Sequence, residues 1–304
     1  MKKIICAFLV LCVLLLNACT GNAPQIKNNK TIVATSFYPV YIFTLNLLNG
    51  IEGVSVECMA EQSVGCLHDY TLTAKDAKLL SDAQVLVING AGMESFLEDA
   101  FQSVENLNVI DSSRNIDIAC KEEPHHEEEN EEHHHHENSH IWLSLGNVEV
   151  QVENIRNGLV KEFPQYENEI EENYSDYVER LNALEEERKA ILLQMKDMKI
   201  ISFHGAYEYL AQDLGFDICC TIESDEGNEP SAKELAGLSN RIKDENITAL
   251  FVDPNYSGSA AEILGRETNI EIYVVNPIIS GEETLTAYED IMKENYKTIL
   301  KAVK

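Results

Sequence analysis

The histidines of this 304-residue chain are its clearest candidates for chemistry, because they are unevenly placed. Seven of the nine lie between residues 125 and 140, and the other two are His68 and His204. Neutral imidazole is a common metal ligand, and three imidazole nitrogens suit the usual tetrahedral coordination of Zn²⁺. His68, His140 and His204 each adjoin a predicted strand or its loop, so they are candidates for one zinc site. A structural role is the alternative for each of them.

The segment from His136 to His140 reads H-E-N-S-H and matches the H-E-x-x-H pattern of zinc hydrolases. That pattern needs a helix, which places both histidines on one face and the glutamate as the base. Asn138 and Ser139 are poor helix formers, and charged low-complexity sequence precedes them. A hydrolase site is therefore disfavoured. A purification tag is disfavoured too, because the histidine run is internal and interleaved with glutamates.

An acidic, histidine-rich tract extends from Lys121 to His140 and contains eight glutamates and seven histidines. It has almost no apolar side chains to bury, so it predicts a mobile loop. We expect this loop to gather zinc weakly and pass it inward, and the alternative is a merely solvated loop. The histidines with this auxiliary role are His125, His126, His133, His134, His135 and His136.

Two carboxylates near the candidate ligands could orient the histidine rings, as hydrogen-bond acceptors commonly do around a metal site. Asp69 directly follows His68. Glu208 lies four residues after His204, on the same face of the helix that His204 is predicted to open. The alternative for each carboxylate is an ordinary solvated position.

Strands rich in valine and isoleucine alternate with helical patterns within residues 31–145 and again within residues 197–304. This alternation predicts two doubly wound α/β lobes, each with a parallel sheet covered by helices. Residues 146–196 predict two helices, and the second, residues 166–195, is long enough to join the lobes as a rigid spine. Ligands of open α/β sheets bind beyond the carboxyl ends of the strands, so His68 and His204 should face a cleft between the lobes.

Local signals predict where several helices begin. Thr73 with Asp76, and Ser231 with Glu234, have the spacing of a capping box. A further helix is predicted over residues 93–103.

The first 30 residues have the pattern of an export and anchoring segment. Lys2 and Lys3 precede a 13-residue apolar run, which is too short to span a bilayer and fits a signal peptide. The run ends in Leu16-Asn17-Ala18-Cys19, which is similar to a bacterial lipobox and predicts lipid on the sulfur of Cys19. Residues 1–18 would be the signal peptide and 19–30 a flexible tether; the alternative is an ordinary signal peptide cut nearby.

The charge of the chain restricts its partners. It has 23 basic and 52 acidic residues, a formal net charge of −29. Loss of residues 1–18, with two lysines and no acidic residue, would make it −31 (−29 − 2). Such a charge disfavours nucleic acid and anionic membrane surfaces as partners, and it is compatible with the binding of cations.

The cysteines are less informative. Outside the cytoplasm Cys58 and Cys66 could pair across a short loop, and two small buried residues are the alternative. Cys219 and Cys220 are adjacent on a predicted strand, so they should face opposite sides and not pair with each other.

Seven segments in order carry a resemblance to a known family: ATSFYPVYIFTLNL, HDYTLTAKD, AQVLVINGAGME, HIWLS, ISFHGAYEYLAQDLGF, EPSAKELAGL and LFVDPNY. From about Ile32 to its C-terminus the chain resembles the zinc/manganese solute-binding lipoproteins of bacterial ABC importers. The resemblance implies two α/β lobes around a long spanning helix, with a metal in the cleft. It also implies His68 and His140 as ligands from the N-terminal lobe and His204 as a ligand from the C-terminal lobe. A His-rich acidic insertion before the H-I-W segment is typical of zinc-preferring members.

Two positions depart from the family pattern. Asn276 stands where the family often has aspartate before proline, which leaves Asn276, a water molecule or another carboxylate as the fourth ligand. Asp253 replaces a more common glutamate and is a further candidate for orienting the site. Manganese-preferring members tend to carry glutamate where this chain has His204, so the resemblance implies Zn²⁺ rather than Mn²⁺.

We therefore expect an extracytoplasmic, lipid-anchored, monomeric zinc-binding protein that delivers Zn²⁺ to a cognate ABC permease and its ATPase. We expect it to catalyse no reaction. The alternatives are a metal-binding adhesin or zinc-storage protein and, less favoured, a zinc-dependent hydrolase with a reactive water at an open fourth position.

Overall fold

The computed structural model describes residues 30–60, 70–97, 104, 107–119, 138–222, 230–256 and 258–303. The chain divides into two compact units, Met1–Lys30 and Thr31–Lys304. The predicted signal peptide, Cys19 and nearly all of the tether lie outside the described residues, so the described helices and strands all belong to the second unit.

The N-terminal lobe is built on a four-stranded parallel sheet with the order β2-β1-β3-β4. Val85–Ile88, the third strand, is buried along most of its length, as expected for a strand covered on both faces. The strands and helices of this lobe are β1 (Thr31–Thr35), α1 (Tyr38–Leu47), β2 (Val54–Cys58), α2 (Ala74–Asp82), β3 (Val85–Ile88), a 3₁₀ turn (Ser95–Leu97) and β4 (Asn108–Asp111).

The C-terminal lobe repeats this topology, with the parallel order β6-β5-β7-β8. The pairing of β5 with β6 shifts register between Ile200 and Ile201, which brings Cys220 rather than Cys219 opposite Ile201. The elements are β5 (Lys199–Ser202), α5 (Glu208–Leu214), β6 (Asp217–Thr221), α6 (Ala232–Asp244), β7 (Ala249–Val252), α7 (Ala260–Thr268), β8 (Glu271–Val274) and α8 (Ala287–Ala302). The prediction of two parallel α/β lobes is confirmed.

Two helices connect the lobes, α3 (Leu145–Glu162) and α4 (Glu167–Leu192), with a 3₁₀ turn (Pro164–Tyr166) between them. Helix α4 has 26 residues, about 39 Å at 1.5 Å per residue. Its buried side chains are Ile170, Tyr177, Leu181, Leu184 and Ile191. They belong to one core cluster that includes residues of both sheets, so the spine is part of the core and not a free-standing linker.

The local helix signals had mixed outcomes. Both predicted capping boxes are present, with Thr73 and Ser231 as N-caps. The helix predicted over residues 93–103 is wrong at its start, where only the 3₁₀ turn forms, and residues 98–103 lie outside the described residues. Gly90 and Gly92 have left-handed φ values of 78° and 77°. The Glu94 carboxylate accepts hydrogen bonds from the backbone N–H groups of Asn89 and Gly90. Both features favour a tight turn at this position.

Three described cysteines are free thiols. Cys58 donates to the carbonyl oxygen of Ala60 at 3.4 Å, while Cys66 lies outside the described residues. Cys219 and Cys220 are not bonded to each other, as expected for neighbours on a strand. Among the described helices none is both long and apolar enough to cross a membrane.

Candidate metal centre

His140 lies in a short buried segment between the two sheets. Asn138, Ser139 and His140 are each at most 4% exposed, although all three are polar. From the N-terminal lobe, the Asn89 amide donates to the Ser139 carbonyl at 2.9 Å. From the C-terminal lobe, the Tyr209 hydroxyl donates to the Asn138 carbonyl at 2.9 Å. The segment before the 3₁₀ turn Ile141–Leu143 is therefore attached to both lobes.

His204 follows the carboxyl end of β5, the position at which open α/β sheets bind ligands. Its backbone is held in a turn by Ser202, whose hydroxyl accepts from the His204 N–H at 3.1 Å and donates to the His204 carbonyl at 2.6 Å. Helix α5 begins only at Glu208. The prediction that His204 opens the helix and shares a face with Glu208 is wrong, because a turn of three residues separates them.

The structure brings His140 and His204 together. Their ring centroids are 5.4 Å apart and their planes are at 88°. Two imidazoles bound to one tetrahedral Zn²⁺ through nitrogens at about 2.0–2.1 Å have centroids about 5 Å apart. The separation of the two rings therefore fits a shared metal ion.

Aromatic residues surround this histidine pair. The Trp142 ring lies 5.1 Å from His140, and the Tyr207 ring lies 6.1 Å from His204. Both aromatic groups donate to the backbone after β8, Trp142 Nε1 to Pro277 O at 2.8 Å and Tyr207 to Val275 O at 2.6 Å. The walls of the site are thus fixed by direct hydrogen bonds to one loop, which limits ring movement.

Helix α5 holds the chain that carries His140. Glu208 accepts from the Asn138 amide at 2.7 Å, and Asp213 accepts from Ser144 Oγ at 3.1 Å and from the Leu145 N–H at 2.9 Å. Burial raises the pKa of the Asp213 carboxyl, although the Leu145 and Ser144 hydrogen bonds oppose that rise. Sequence reasoning missed the roles of Asn138 and Asp213, because both depend on contacts between residues about 70 positions apart in the chain.

A second buried polar network supports the segment from the N-terminal sheet. Glu94 accepts from Ser36 Oγ at 2.6 Å and from the N–H groups of Asn89 and Gly90 at 2.7 and 3.0 Å. Burial raises the pKa of the Glu94 carboxyl to about 7, against the lowering effect of those three hydrogen bonds. Because Asn89 also binds Ser139, this network extends to the residue before His140.

Asn276 and Asp253, two further predicted positions, each have a side-chain oxygen that accepts from the backbone N–H two residues later. Asn276 Oδ1 accepts from the Ile278 N–H at 2.8 Å, and its backbone bonds to Asn295. Asp253 Oδ1 accepts from the Asn255 N–H at 2.7 Å, in the turn after β7. Their roles in the site stay predictions.

Several candidate positions lie outside the described residues: His68, Asp69, His125, His126, His133, His134, His135 and His136. Within the described part of the chain, no group of three or more His, Cys, Asp and Glu side chains could hold a metal ion. The third predicted histidine ligand, His68, lies outside that part, so the three-histidine site also stays a prediction.

Comparison with known proteins shows one family. The family model described as "Zinc-uptake complex component A periplasmic" (ZnuA) matches residues 33–302. The high-affinity zinc uptake system protein ZnuA of Bacillus subtilis (strain 168) is 31% identical over 297 residues, covering 93% of this chain and 92% of that protein. The zinc-binding lipoprotein AdcA of Streptococcus pneumoniae serotype 4 is 31% identical over 305 residues, covering 99% of this chain.

The chain spans about three fifths of the length of the streptococcal AdcA relatives that it matches. Among solved structures, the Zn(II)-bound ZnuA-like domain of Streptococcus pneumoniae AdcA has a TM-score of 0.76 and 26% identity, covering 90% of this chain and 99% of that one. Members of this family are solute-binding components of uptake systems. This role agrees with the prediction that the chain is not an enzyme. The chain belongs to the ZnuA family of zinc-uptake solute-binding proteins.

Proposed function

We propose that this chain captures Zn²⁺ outside the cytoplasm and delivers it to an ABC importer, through a cognate permease and its ATPase. The observation that carries the proposal is the pair of His140, which is buried, and His204, which is half-buried, whose rings lie at the separation expected for a shared metal ion. Membership in a zinc-uptake family supports the same cargo.

The donor set favours zinc over manganese. Imidazole nitrogen suits Zn²⁺, whereas Mn²⁺ prefers carboxylate and carbonyl oxygen, and the Irving–Williams order also places zinc above manganese. His68, from the segment after β2, would be the third ligand, and Asn276, a water molecule or another carboxylate would complete the tetrahedron. The net charge of −29 draws divalent cations toward the protein at long range.

The contacts of the His140 segment support a metal site between the lobes. Ser139 and Asn138 bond to residues of different lobes, while His204 belongs to the C-terminal lobe and His68 to the N-terminal one. In the proposed domain organisation, residues 31–145 form the N-terminal lobe, 146–196 the connecting helices and 197–304 the C-terminal lobe. A metal ion bound to all three histidines would hold the two lobes together, which offers the permease a metal-dependent shape.

The remaining parts of the proposal concern location and supply. Residues 1–18 act as a signal peptide, Cys19 carries the lipid, and the protein is a monomer on the outer face of the cell membrane. The part of the tract before Asn138 gathers zinc weakly and passes it to the histidine pair, through His125, His126, His133, His134, His135 and His136. Adhesion or zinc storage is the second candidate function, because a zinc site alone does not require a transporter.

The decisive experiment measures zinc binding by chelator-competition calorimetry on a variant that lacks residues 121–136, so that only the central site contributes. We expect one tight Zn²⁺ per chain and much weaker Mn²⁺. His140→Ala and His204→Ala should each abolish tight binding, while Glu262→Ala, at an exposed residue of α7, should not. Equal affinities for the two metals would contradict the proposal.

A second experiment separates delivery from storage or adhesion. The protein should stimulate zinc uptake by its reconstituted importer, and His204→Ala should not. Tight zinc binding without stimulated uptake would favour storage or adhesion, and hydrolysis of a peptide or ester panel would favour the hydrolase alternative.

A further inference from the structure

Asn138 occupies an unusual position beside His140, because all of its polar groups are bonded. Its backbone N–H donates to Ala119 O at 3.0 Å, and its carbonyl accepts from the Tyr209 hydroxyl at 2.9 Å. Its side-chain amide bonds to Glu208 on one side and to His140 on the other. Since Asn138 is 1% exposed, these partners fix the amide without competition from water.

The partners of this amide determine which of its atoms is the oxygen. Nδ2 lies 2.7 Å from Glu208 Oε2 and 3.4 Å from Gly205 O, which are both acceptors, so the NH₂ group must point toward them. Oδ1 then faces His140, where it accepts the backbone N–H at 3.0 Å. The reversed amide would place its NH₂ group against that N–H and its oxygen against a carboxylate.

The orientation of the amide determines the tautomer of His140. Asn138 Oδ1 lies 2.9 Å from His140 Nδ1, and an amide oxygen can only accept a hydrogen bond. Nδ1 therefore carries the ring proton. In a neutral imidazole the lone pair is then on Nε2, the nitrogen on the other side of the ring.

We propose that Glu208 and Asn138 form a hydrogen-bond relay that holds His140 in the Nδ1–H tautomer, so that Nε2 is the atom offered to zinc. This inference rests on the proposed zinc site. Metal-bound histidines usually donate their second ring N–H to a carboxylate or carbonyl, and loss of that partner commonly costs about 10–100-fold in metal affinity. Here the carboxylate acts through an intervening amide, and the amide, being neutral, adds no charge next to the metal.

The relay also connects His140 to the strand end that carries His204. Glu208 is the first residue of α5, the helix that follows the turn of His204, and Gly205 O in that turn accepts from the same amide. The groups that fix the Asn138 amide thus come from residues 205–208, directly after His204 in the chain. The His140 ring is therefore oriented from the lobe that carries His204 before metal arrives.

Zinc affinity of four variants tests the relay. Asn138→Ala removes the acceptor of the ring proton and should weaken zinc binding about 10–100-fold, and Glu208→Ala should weaken it by about tenfold. Glu208→Gln retains an oxygen that accepts from Asn138, so it should restore most of the Glu208→Ala loss. Glu262→Ala, also a first-turn glutamate of a helix in this lobe but exposed, is the matched control and should bind like the unmodified protein. A Glu208→Ala affinity equal to that of the control would overturn the relay.

Nitrogen NMR of the metal-free protein reads the tautomer directly and does not depend on zinc. At a pH about two units above the ordinary imidazole pKa, the protonated ring nitrogen of His140 should be Nδ1. Asn138→Ala should populate the Nε2–H tautomer as well, with unchanged circular dichroism. A proton found on Nε2 in the unmodified protein would refute the assignment. Failure of the proposed function looks different: zinc would bind weakly to the unmodified protein, or equally well to His140→Ala, whatever the tautomer.

Discussion

Arg180, near the middle of the spine, joins three helices and gives the sharpest stability prediction. Its Nε donates to Glu289 Oε1 of α8 at 2.8 Å, and its Nη2 donates to Asn46 Oδ1 of α1 and to Leu285 O at 3.3 Å. The guanidinium carbon also lies 4.9 Å from the centroid of the Tyr177 ring. One side chain thus connects the first and last helices of the unit through α4.

The burial of the two partners sets the size of the effect. The Glu289 side chain is 5% exposed and that of Arg180 is 34% exposed, so the carboxylate is the more deeply desolvated charge. Removal of one partner of a buried ion pair costs about 3–5 kcal/mol, because the other charge is left uncompensated. Partial exposure of the guanidinium lowers that value, and we expect Arg180→Ala to reduce the free energy of unfolding by about 2–4 kcal/mol.

Urea unfolding followed by tryptophan fluorescence and circular dichroism measures this loss. The control is Lys297→Ala, which removes an ion pair to Glu294 on the surface of α8, where the side chains are 65% and 72% exposed. That variant should lose at most about 0.5 kcal/mol. Addition of Glu289→Gln to Arg180→Ala removes the uncompensated charge and should recover about 1 kcal/mol or more. Equal losses for Arg180→Ala and Lys297→Ala would refute the reasoning.

Three further predictions concern the metal, pH and the anchor. In calorimetry, His204→Ala should weaken zinc binding about a hundredfold or more and Asn276→Ala less than tenfold, because imidazole is the stronger donor; equal losses would contradict this assignment. The Glu94 pKa is raised from 4.5 to about 7 in the folded state, so its contribution to stability is complete below pH 4.5 and is lost as the pH rises through about 7. The free energy of unfolding of the unmodified protein, minus that of Glu94→Gln, should therefore fall as the pH rises from 4.5 to about 7, by at most about 1.4 kcal/mol per pH unit. A rise in this difference would refute the pKa shift. Cys19→Ala should move the protein from the membrane fraction to the soluble fraction, as measured by immunoblot, and unchanged fractionation would argue against lipidation.

Much of the fold follows from patterns that act locally. Each of the two capping boxes places a hydroxyl and a carboxylate three residues apart, so both can be recognised from the sequence, at Thr73 and Ser231. Strand–helix alternation with β-branched strands is equally local and predicts both parallel sheets. The helix predicted at residue 93 failed because Glu94 folds back onto the N–H groups of Asn89 and Gly90, a contact that no helical periodicity reveals.

The site was only partly predictable for the same reason. His204 was found from its isolation after a predicted strand and His140 from its position at the end of the histidine-rich tract, and the structure brings them together. Asn138 was considered only as a poor helix former, since its importance depends on Glu208, 70 positions further along the chain. The effect of a side chain on a ring proton arises from tertiary contact, and composition or spacing cannot supply it.

The position of α8 has a consequence for how the protein is made. Phe43 of α1 lies 5.4 Å, centroid to centroid, from Tyr288 of α8, and both side chains are fully buried. In a chain that emerges N-terminus first, Tyr177 of α4 can cover Phe43 on one side, but the side that faces Tyr288 stays uncovered until about 245 further residues (288 − 43) have followed. A product truncated before α8 would leave an apolar groove along α1 and α4 open to proteases. Resistance to degradation is thus conditional on the synthesis of α8.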